Sequence, residues 1–224
     1  MPTSCSIYEL DSPIDTNDLL DRVNDDYQHT GSHPEIEDSL LTDVVDVHST
    51  NRGVACTIRY DTPKQRGSRE DESPWYIDVE RARVRYTDQY FILLGNHSGR
   101  ALRNAQEIIN VSPDEVSKVT ITTSTVARVY SQDGQGGMRG SWNNADEYID
   151  NATLSGEIEQ SGLTTEIRTN PSSQPTFRQF ASQSYDENTV GLSSNQDRVA
   201  FWGSDWNESD YEDYIYQFIL PNSP

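Results

Sequence analysis

The stretch from Trp75 to Tyr130 constrains the fold most, because nearly every residue in it favours one kind of secondary structure. From Ile77 to Tyr86 apolar and polar side chains alternate, as in a strand with one buried face, and a change of phase near Arg81 indicates a β-bulge. Thr87–Gln89 turns the chain, and Tyr90–Leu94 is apolar on both faces, as in a strand covered on both sides. A β-hairpin is therefore expected here.

An amphipathic helix is predicted after this hairpin. Between Gly99 and Asn110 the apolar residues form one helical stripe, with Ser98 as the N-cap and Pro113 as the stop signal. The stripe consists of Ala101, Leu102, Ala105, Ile108 and Ile109. Val116–Tyr130 is then predicted as a long, Thr-rich strand. Together these segments indicate an α+β fold.

The N-terminal part of the chain contains further periodic segments. Ser4–Leu10 is predicted as a short strand, and a helix is predicted from Thr16 to about Gln28. His29–Glu37 is expected to be a loop. A hairpin is predicted next, with the strands Leu40–His48 and Gly53–Tyr60. Asp61–Pro74 is expected to be an exposed loop.

The C-terminal part begins with a Gly-rich segment, Asp133–Gly140, which is expected to be a flexible linker and not a phosphate-binding loop. Tyr148–Gln160 and Leu163–Thr169 are predicted to form a hairpin. Ser209, with Glu212 three residues later, predicts a capping box that opens a terminal helix. The buried stripe of this helix is expected to consist of Tyr211, Tyr214, Ile215, Phe218 and Ile219. Three more strands are predicted at Thr176–Gln183, Thr189–Ser193 and Arg198–Trp202.

The two halves of the chain end alike. Tyr86–Gly95 followed by an amphipathic helix corresponds to Leu192–Gly203 followed by another, which suggests an internal duplication. The first half has the order β-α-β-β-β-β-α. We therefore expect two repeats, residues 1–112 and 113–224, that share one curved antiparallel sheet with the helices on one face.

This twofold order, with Tyr86 closing one strand, Gly95 closing the next and Ser98 opening a helix, resembles the TATA-box-binding protein family. The resemblance implies a saddle whose concave face lies in a DNA minor groove. It implies that Tyr86 is an aromatic wedge and that Ile92 and Leu94 touch the groove. In that register the arginines of the same strand would point at the helices, which is costly, so we expect the arginine face to be the open one.

Those arginines belong to the segment of the chain in which basic residues are most concentrated. Residues 59–103 hold nine of the 17 basic residues but only seven of the 37 acidic ones. Arg81, Arg83 and Arg85 occupy alternate positions of one strand and, together with Arg59, suit contact with phosphates or a minor groove. The alternative interpretation is cross-strand pairing with local carboxylates or docking on an acidic protein.

The whole chain is strongly acidic, with a formal charge of -20 and a pI near 4.3. Fifteen of its basic residues are arginines. Self-repulsion is tolerable in molar salt, where the Debye length is about 3 Å, so this composition favours a halophilic cytoplasm. The sequence shows neither an N-terminal apolar run like that of a signal peptide nor an apolar stretch long enough to cross a membrane.

No catalytic, cofactor or metal site is predicted. His29 and His33 lie in a Gly/Pro-containing segment without the helix that would bring them together, and His48 adds no spacing typical of a metal site. Cys5 and Cys56 lack C-x-x-C spacing and are expected to be buried thiols. The sequence contains no arrangement that reads as a nucleophile with its base.

These features predict a non-catalytic DNA-binding protein, either an accessory transcription factor or a factor from a mobile element of a halophile. The contact residues would be Arg59, Arg81, Arg83, Arg85, Tyr86, Ile92 and Leu94. The alternative is a protein-interaction module of a viral or defence assembly, with a protein partner or a second copy of the chain in place of DNA.

Overall fold

The computed structural model describes residues 3–34, 36–65, 75–95, 99–185, 188–203 and 206–224. These residues form an α+β protein of twelve strands and five α-helices. The strands are β1 Thr3–Leu10, β2 Gln28–His33, β3 Ile36–Ser49, β4 Gly53–Gln65, β5 Trp75–Thr87, β6 Tyr90–Leu94, β7 Val116–Lys118, β8 Gly134–Asp146, β9 Ile149–Ser155, β10 Gln174–Ser182, β11 Thr189–Ser193 and β12 Arg198–Trp202. The helices are α1 Thr16–Arg22, α2 Gly99–Ile108, α3 Thr123–Asp133, α4 Gly162–Thr169 and α5 Glu208–Tyr214. Within this described part, the structure has no helix of the length and apolar character that a membrane span requires.

The chain divides into two compact units. The N-terminal unit is Ile7–Ser117, and the C-terminal unit is Lys118–Pro224 together with Met1–Ser6. All the strand pairs with an assigned register are antiparallel, as expected. That the two units arose by duplication stays a prediction.

In the N-terminal unit the strands follow one another in the order β2-β3-β4-β5-β6-β1. β4 and β5 pair without interruption, from Gly53 opposite Thr87 to Gln65 opposite Trp75. The bulge expected near Arg81 is therefore absent from this pairing. The apparent change of phase has another cause: Val79 is simply an exposed apolar residue, 58% accessible.

Two helices cover one face of this sheet. The shared core contains Leu19 of α1 and the apolar stripe of α2, packed on alternate residues of β4 and β5. Those strand residues are Val54, Cys56, Ile58, Tyr60, Ala82, Val84 and Tyr86. Because strand side chains alternate, the odd-numbered residues of β5 point to the other face.

Helix α1 ends six residues earlier than expected. It begins after Asp15, whose carboxylate accepts a hydrogen bond from Asn17 N at 2.8 Å. It stops because the Asn24 side chain donates to Asp21 O at 2.7 Å and accepts from Asp26 N at 3.0 Å. Such local side-chain bonds compete with the helix for the same backbone groups.

The predicted loop at His29–Glu37 contains most of an edge strand. β2 pairs with β3, with Gln28 opposite Asp43 and Thr30 opposite Leu41. Most of β2 is exposed, so its sequence lacks the apolar alternation that marks a half-buried strand. Residues 61–65 of the next predicted loop belong to β4, and residues 66–74 lie outside the described chain, as does Ser98.

The C-terminal unit has the order β1-β12-β11-β10-β8-β9, to which β1 contributes Thr3–Cys5. The long strand predicted at Val116–Tyr130 is wrong: β7 spans only three residues and α3 follows. Thr122 caps α3 by accepting from Thr125 N at 3.0 Å, and Val126 and Val129 are buried. The cap and this burial outweigh the strand propensity of a Thr-rich segment.

The Gly-rich segment is a strand, not a flexible linker. β8 begins at Gly134 and pairs with both β9 and β10. Two of its glycines permit close packing, because a Cβ at Gly137 would lie 2.5 Å from Ile158 Cγ1 and one at Gly140 would lie 2.4 Å from Trp142 Cη2. The second strand of the predicted hairpin, Leu163–Thr169, is instead part of helix α4.

The remaining strands and the terminal helix are confirmed, but the predicted capping box of Ser209 and Glu212 is wrong. β10, β11 and β12 coincide with the predicted strands to within two residues. The terminal helix has its capping box two residues earlier than expected, since Asn207 accepts from Ser209 N and Asp210 N at 3.0 and 3.1 Å. The expected stripe of Tyr211, Tyr214, Ile215, Phe218 and Ile219 is buried.

The two cysteines are buried free thiols, as expected, and one lies in each unit. Burial raises the pKa of both Cys5 and Cys56 to about 12.

Because the thiolate is the reactive species, an alkylating reagent at pH 8 should modify the native thiols roughly a thousandfold more slowly than exposed ones. Mass spectrometry after pulsed alkylation measures each site separately, and denaturant should expose both. Rapid labelling of either cysteine in the native protein would contradict the structure.

Candidate nucleic-acid interface

The arginines of β5 lie on the sheet face opposite the helices, as expected. Arg81 pairs with Arg59 of β4, Arg83 with Thr57 and Arg85 with Ala55, and directly paired residues share a face. We call the part of this surface formed by Asp43, Arg59, Arg81 and Arg83 the arginine face. Arg81 and Arg83 are exposed on it.

Two arginines directly opposite each other repel, and Asp43 of β3 relieves this repulsion. Asp43 pairs with Arg59 in the β3–β4 register and is nearly buried. Arg59 Nε donates to Asp43 Oδ1 at 3.0 Å, and Arg59 Nη2 donates to Asp43 Oδ2, giving a two-point ion pair. The hydrogen bond to Asp43 and its charge raise the pKa of Arg59. Arg59 is thus held toward β3, and Arg81 is left to face solvent.

The acids of β5 occupy the opposite face of the strand. Asp78 and Glu80 both lie within ion-pair distance of Lys64, with Lys64 Nζ at 3.3 Å from Glu80 Oε1. Tyr60 Oη donates to Glu80 Oε2 at 3.1 Å. The lysine holds the pKa of Asp78 below its usual value, mainly through their hydrogen bond. These carboxylates therefore do not neutralise the arginine face.

A shallow cavity of about 360 Å³ borders Arg59 and Arg81. Leu41 and Val79, which are 39% and 58% accessible, lie on its walls. Asp61 is the second acid at this cavity, and its Oδ2 accepts a hydrogen bond from Leu41 N at 2.8 Å. The surface thus combines cations with exposed apolar side chains.

The other predicted contact residues are buried. Tyr86 packs under α2, and its hydroxyl donates to Ala105 O at 2.9 Å. Ile92 and Leu94 lie on the opposite face from Tyr86, because they pair with Arg85 and Arg83. Ile92, Leu94 and Arg85 are all buried despite facing that way. Of the seven predicted residues, Arg59, Arg81 and Arg83 remain on the candidate surface, because the other four are buried.

Metal chemistry finds no support in the described residues, none of which form a group of three or more His, Cys, Asp or Glu placed to hold an ion. His29 and His33 both lie on the edge strand β2. His33 packs against Trp75, with ring centroids 4.9 Å apart.

Sequence reasoning missed Asp43, the residue that organises the arginine face. Its signal was present: Asp43 is the single charged residue in the run Leu40–Val45 of a predicted strand. Sequence reasoning also missed the sheet face of the C-terminal unit that lies opposite Arg178 of β10, which we call the outer sheet face. On it Phe177 and Trp202 are half-buried and Arg139 is exposed. Arg139 lies in the segment that was expected to be a linker.

Comparison with known proteins adds no assignment: no protein-family model, no curated protein and no solved structure matches this chain.

The position of Tyr86 gives a stability prediction. Tyr86→Phe removes the donor to Ala105 O and so one buried hydrogen bond, and the free energy of unfolding should fall by about 0.5–1.5 kcal/mol. Tyr148→Phe is the matched control, because Tyr148 is 87% accessible and should change stability little. Equilibrium denaturant unfolding measures both, and equal stability of Tyr86→Phe and the wild type would contradict the buried hydrogen bond.

Proposed function

We propose that this chain is a non-catalytic DNA-binding protein whose arginine face contacts the phosphate backbone. The observation that carries the proposal is the exposure of Arg81 and Arg83 on the sheet face opposite the helices. An accessory transcription factor or a mobile-element factor of a halophile is the role we propose.

The geometry suits phosphate contact. Residues two apart on a strand lie on the same face about 7 Å apart, so Arg81 and Arg83 can reach neighbouring phosphates of one strand. Arg59 acts differently: because Asp43 holds its guanidinium, it fixes the surface near Arg81 and does not supply a mobile cation. Phosphate contacts of this kind position a protein on DNA without specifying sequence.

The charge of -20 does not prevent such binding in salt. The Debye length is about 8 Å at physiological ionic strength and about 3 Å in molar salt, so distant carboxylates contribute little at the arginine face. The charges within a few ångströms of the arginine face then decide whether DNA binds there.

The order of elements supports the repeat on which the family resemblance was based. The succession β-α-β-β-β-β-α occurs as β1, α1, β3, β4, β5, β6 and α2, and again as β7, α3, β8, β10, β11, β12 and α5. β2 is extra in the first series, and β9 with α4 is extra in the second. The burial of Tyr86 means that the proposal uses phosphate contacts and not an aromatic wedge from β5.

A protein-interaction module is the second candidate. The exposed Leu41 and Val79 beside Arg59 and Arg81 favour it, because apolar anchors flanked by arginines are typical of protein interfaces. An acidic partner would fit the arginines. Its signature would be a stable partner that is lost on Leu41→Ser/Val79→Ser substitution, with DNA affinity too weak to measure.

Anisotropy titrations with a labelled AT-rich duplex over a KCl series test the DNA proposal. Arg81→Glu/Arg83→Glu should weaken binding at least about tenfold and lower the slope of log affinity against log salt by about 0.9 for each lost phosphate contact. Arg85 is left intact because it is buried.

The control is Arg103→Glu/Arg128→Glu, which makes the same change in net charge at exposed positions on α2 and α3. It should retain wild-type affinity apart from a small, salt-sensitive loss. Equal effects of the two double variants, or no binding by the wild type at any salt concentration, would overturn the proposal.

A further inference from the structure

The outer sheet face of the C-terminal unit has an unusual composition for so acidic a chain. Directly paired residues of five strands and the start of β1 place fifteen residues on it, all within the described part of the chain, and none is acidic. We call this surface the aromatic face. Its members are Ser4, Gln135, Arg139, Ser141, Thr153, Ser155, Phe177, Gln179, Ala181, Thr189, Gly191, Ser193, Arg198, Ala200 and Trp202.

Two aromatic rings lie at the centre of the aromatic face, on either side of Gly191. A Cβ at Gly191 would lie 2.6 Å from Trp202 Cζ3 and 3.5 Å from Phe177 Cε2. The glycine therefore lets the indole rest against the backbone of β11. Both rings are half-buried, so each keeps part of its surface in solvent.

Arg139 supplies a cation next to these rings. Its side chain is exposed, and its guanidinium carbon lies 5.8 Å from the centroid of the Phe177 ring. A cavity of about 720 Å³ opens beside it, with Gln135, Gln179 and Met138 among its lining residues. That volume lies within the range of small-ligand sites, and the two amides can hydrogen-bond a polar ring.

Two acids line this cavity: Glu157, which is exposed, and Glu159. Glu159 is already bound within the unit, because its Oε1 accepts from Arg178 at 3.1 Å and its Oε2 accepts from Arg168 at 2.5 Å. Arg178 is buried on the opposite sheet face, with its guanidinium carbon 4.8 Å from the Tyr130 ring centroid and 4.6 Å from that of Trp142. Glu159 is thus neutralised and does not repel an anion from the aromatic face.

We infer that the aromatic face binds single-stranded nucleic acid, with unpaired bases stacked on Phe177 and Trp202 and a phosphate at Arg139. Partly exposed rings on a sheet offer stacking platforms that tolerate any base, and a nearby cation follows the backbone. A polyanion suits this surface, because none of the fifteen paired residues on it is acidic. A duplex fits it less well, because paired bases keep their faces stacked on one another. The inference does not depend on the arginine face, which lies in the other unit.

Anisotropy with a labelled oligothymidylate of twelve nucleotides, in low and in molar KCl, tests this inference. Phe177→Ala and Trp202→Ala should each weaken binding by about five- to a hundredfold, the usual effect of removing one stacking ring. Arg139→Gln should weaken it mainly in low salt, since screening removes the phosphate contribution in molar KCl. Tyr148→Ala is the matched control, because it removes an exposed ring outside the aromatic face and should leave affinity unchanged.

An abasic oligomer of the same length separates stacking from charge. It should bind at least about fivefold more weakly than oligothymidylate, and equal binding would overturn the inference. Unchanged affinity of Phe177→Ala, Trp202→Ala and Arg139→Gln would also overturn the inference. This holds even if Arg81→Glu/Arg83→Glu abolishes binding, because binding would then occur at the arginine face. Circular dichroism and alkylation of Cys5 verify that each variant is folded, and if Trp202→Ala unfolds the unit, Phe177→Ala and Arg139→Gln decide the outcome.

Discussion

The packing of α2 on β5 is the interaction on which the N-terminal unit depends. Val84 and Tyr86 are buried under the helix, and the Tyr86 hydroxyl donates to Ala105 O. Because successive strand side chains point to opposite faces, this contact commits Arg81 and Arg83 to the other side of the sheet. A shift of one residue would bury those arginines and expose the core, which fixes the register strongly.

Charges in the described residues follow a consistent rule. Where a cation and a carboxylate are buried or half-buried together they are paired, as in Arg59 with Asp43 and Arg178 with Glu159. Removing one partner of such a pair would leave an uncompensated charge at high cost. Arg81 and Arg83 in one unit and Arg139 in the other are exposed on sheet faces opposite the helices. An external anion that approaches these sheet faces can reach them.

The two candidate surfaces differ in chemistry. The arginine face combines cations with Leu41 and Val79, and its contacts with DNA would be electrostatic and sensitive to salt. The aromatic face combines two rings with Arg139 and lacks acids, so its contacts would include a stacking contribution that persists in high salt. Salt concentration therefore separates the two modes experimentally.

Sequence periodicity determined the α+β class, the β5–β6 hairpin, the α2 stripe, the strands β10 to β12, the buried stripe of the last helix and the face of the β5 arginines. These features are local, because alternation and helical spacing record which side of an element is buried.

Only the tertiary structure decided the rest. The Thr-rich segment became α3 because burial of Val126 and Val129 outweighed propensity, and the Gly-rich segment became β8 because its glycines admit Ile158 and Trp142. The ion pair of Asp43 with Arg59 and the placement of Phe177 and Trp202 beside Gly191 join residues distant in sequence, and the burial of Ile92 and Leu94 also depends on the tertiary structure. Strand pairing brings such residues together, and no single stretch of sequence records which strands will pair.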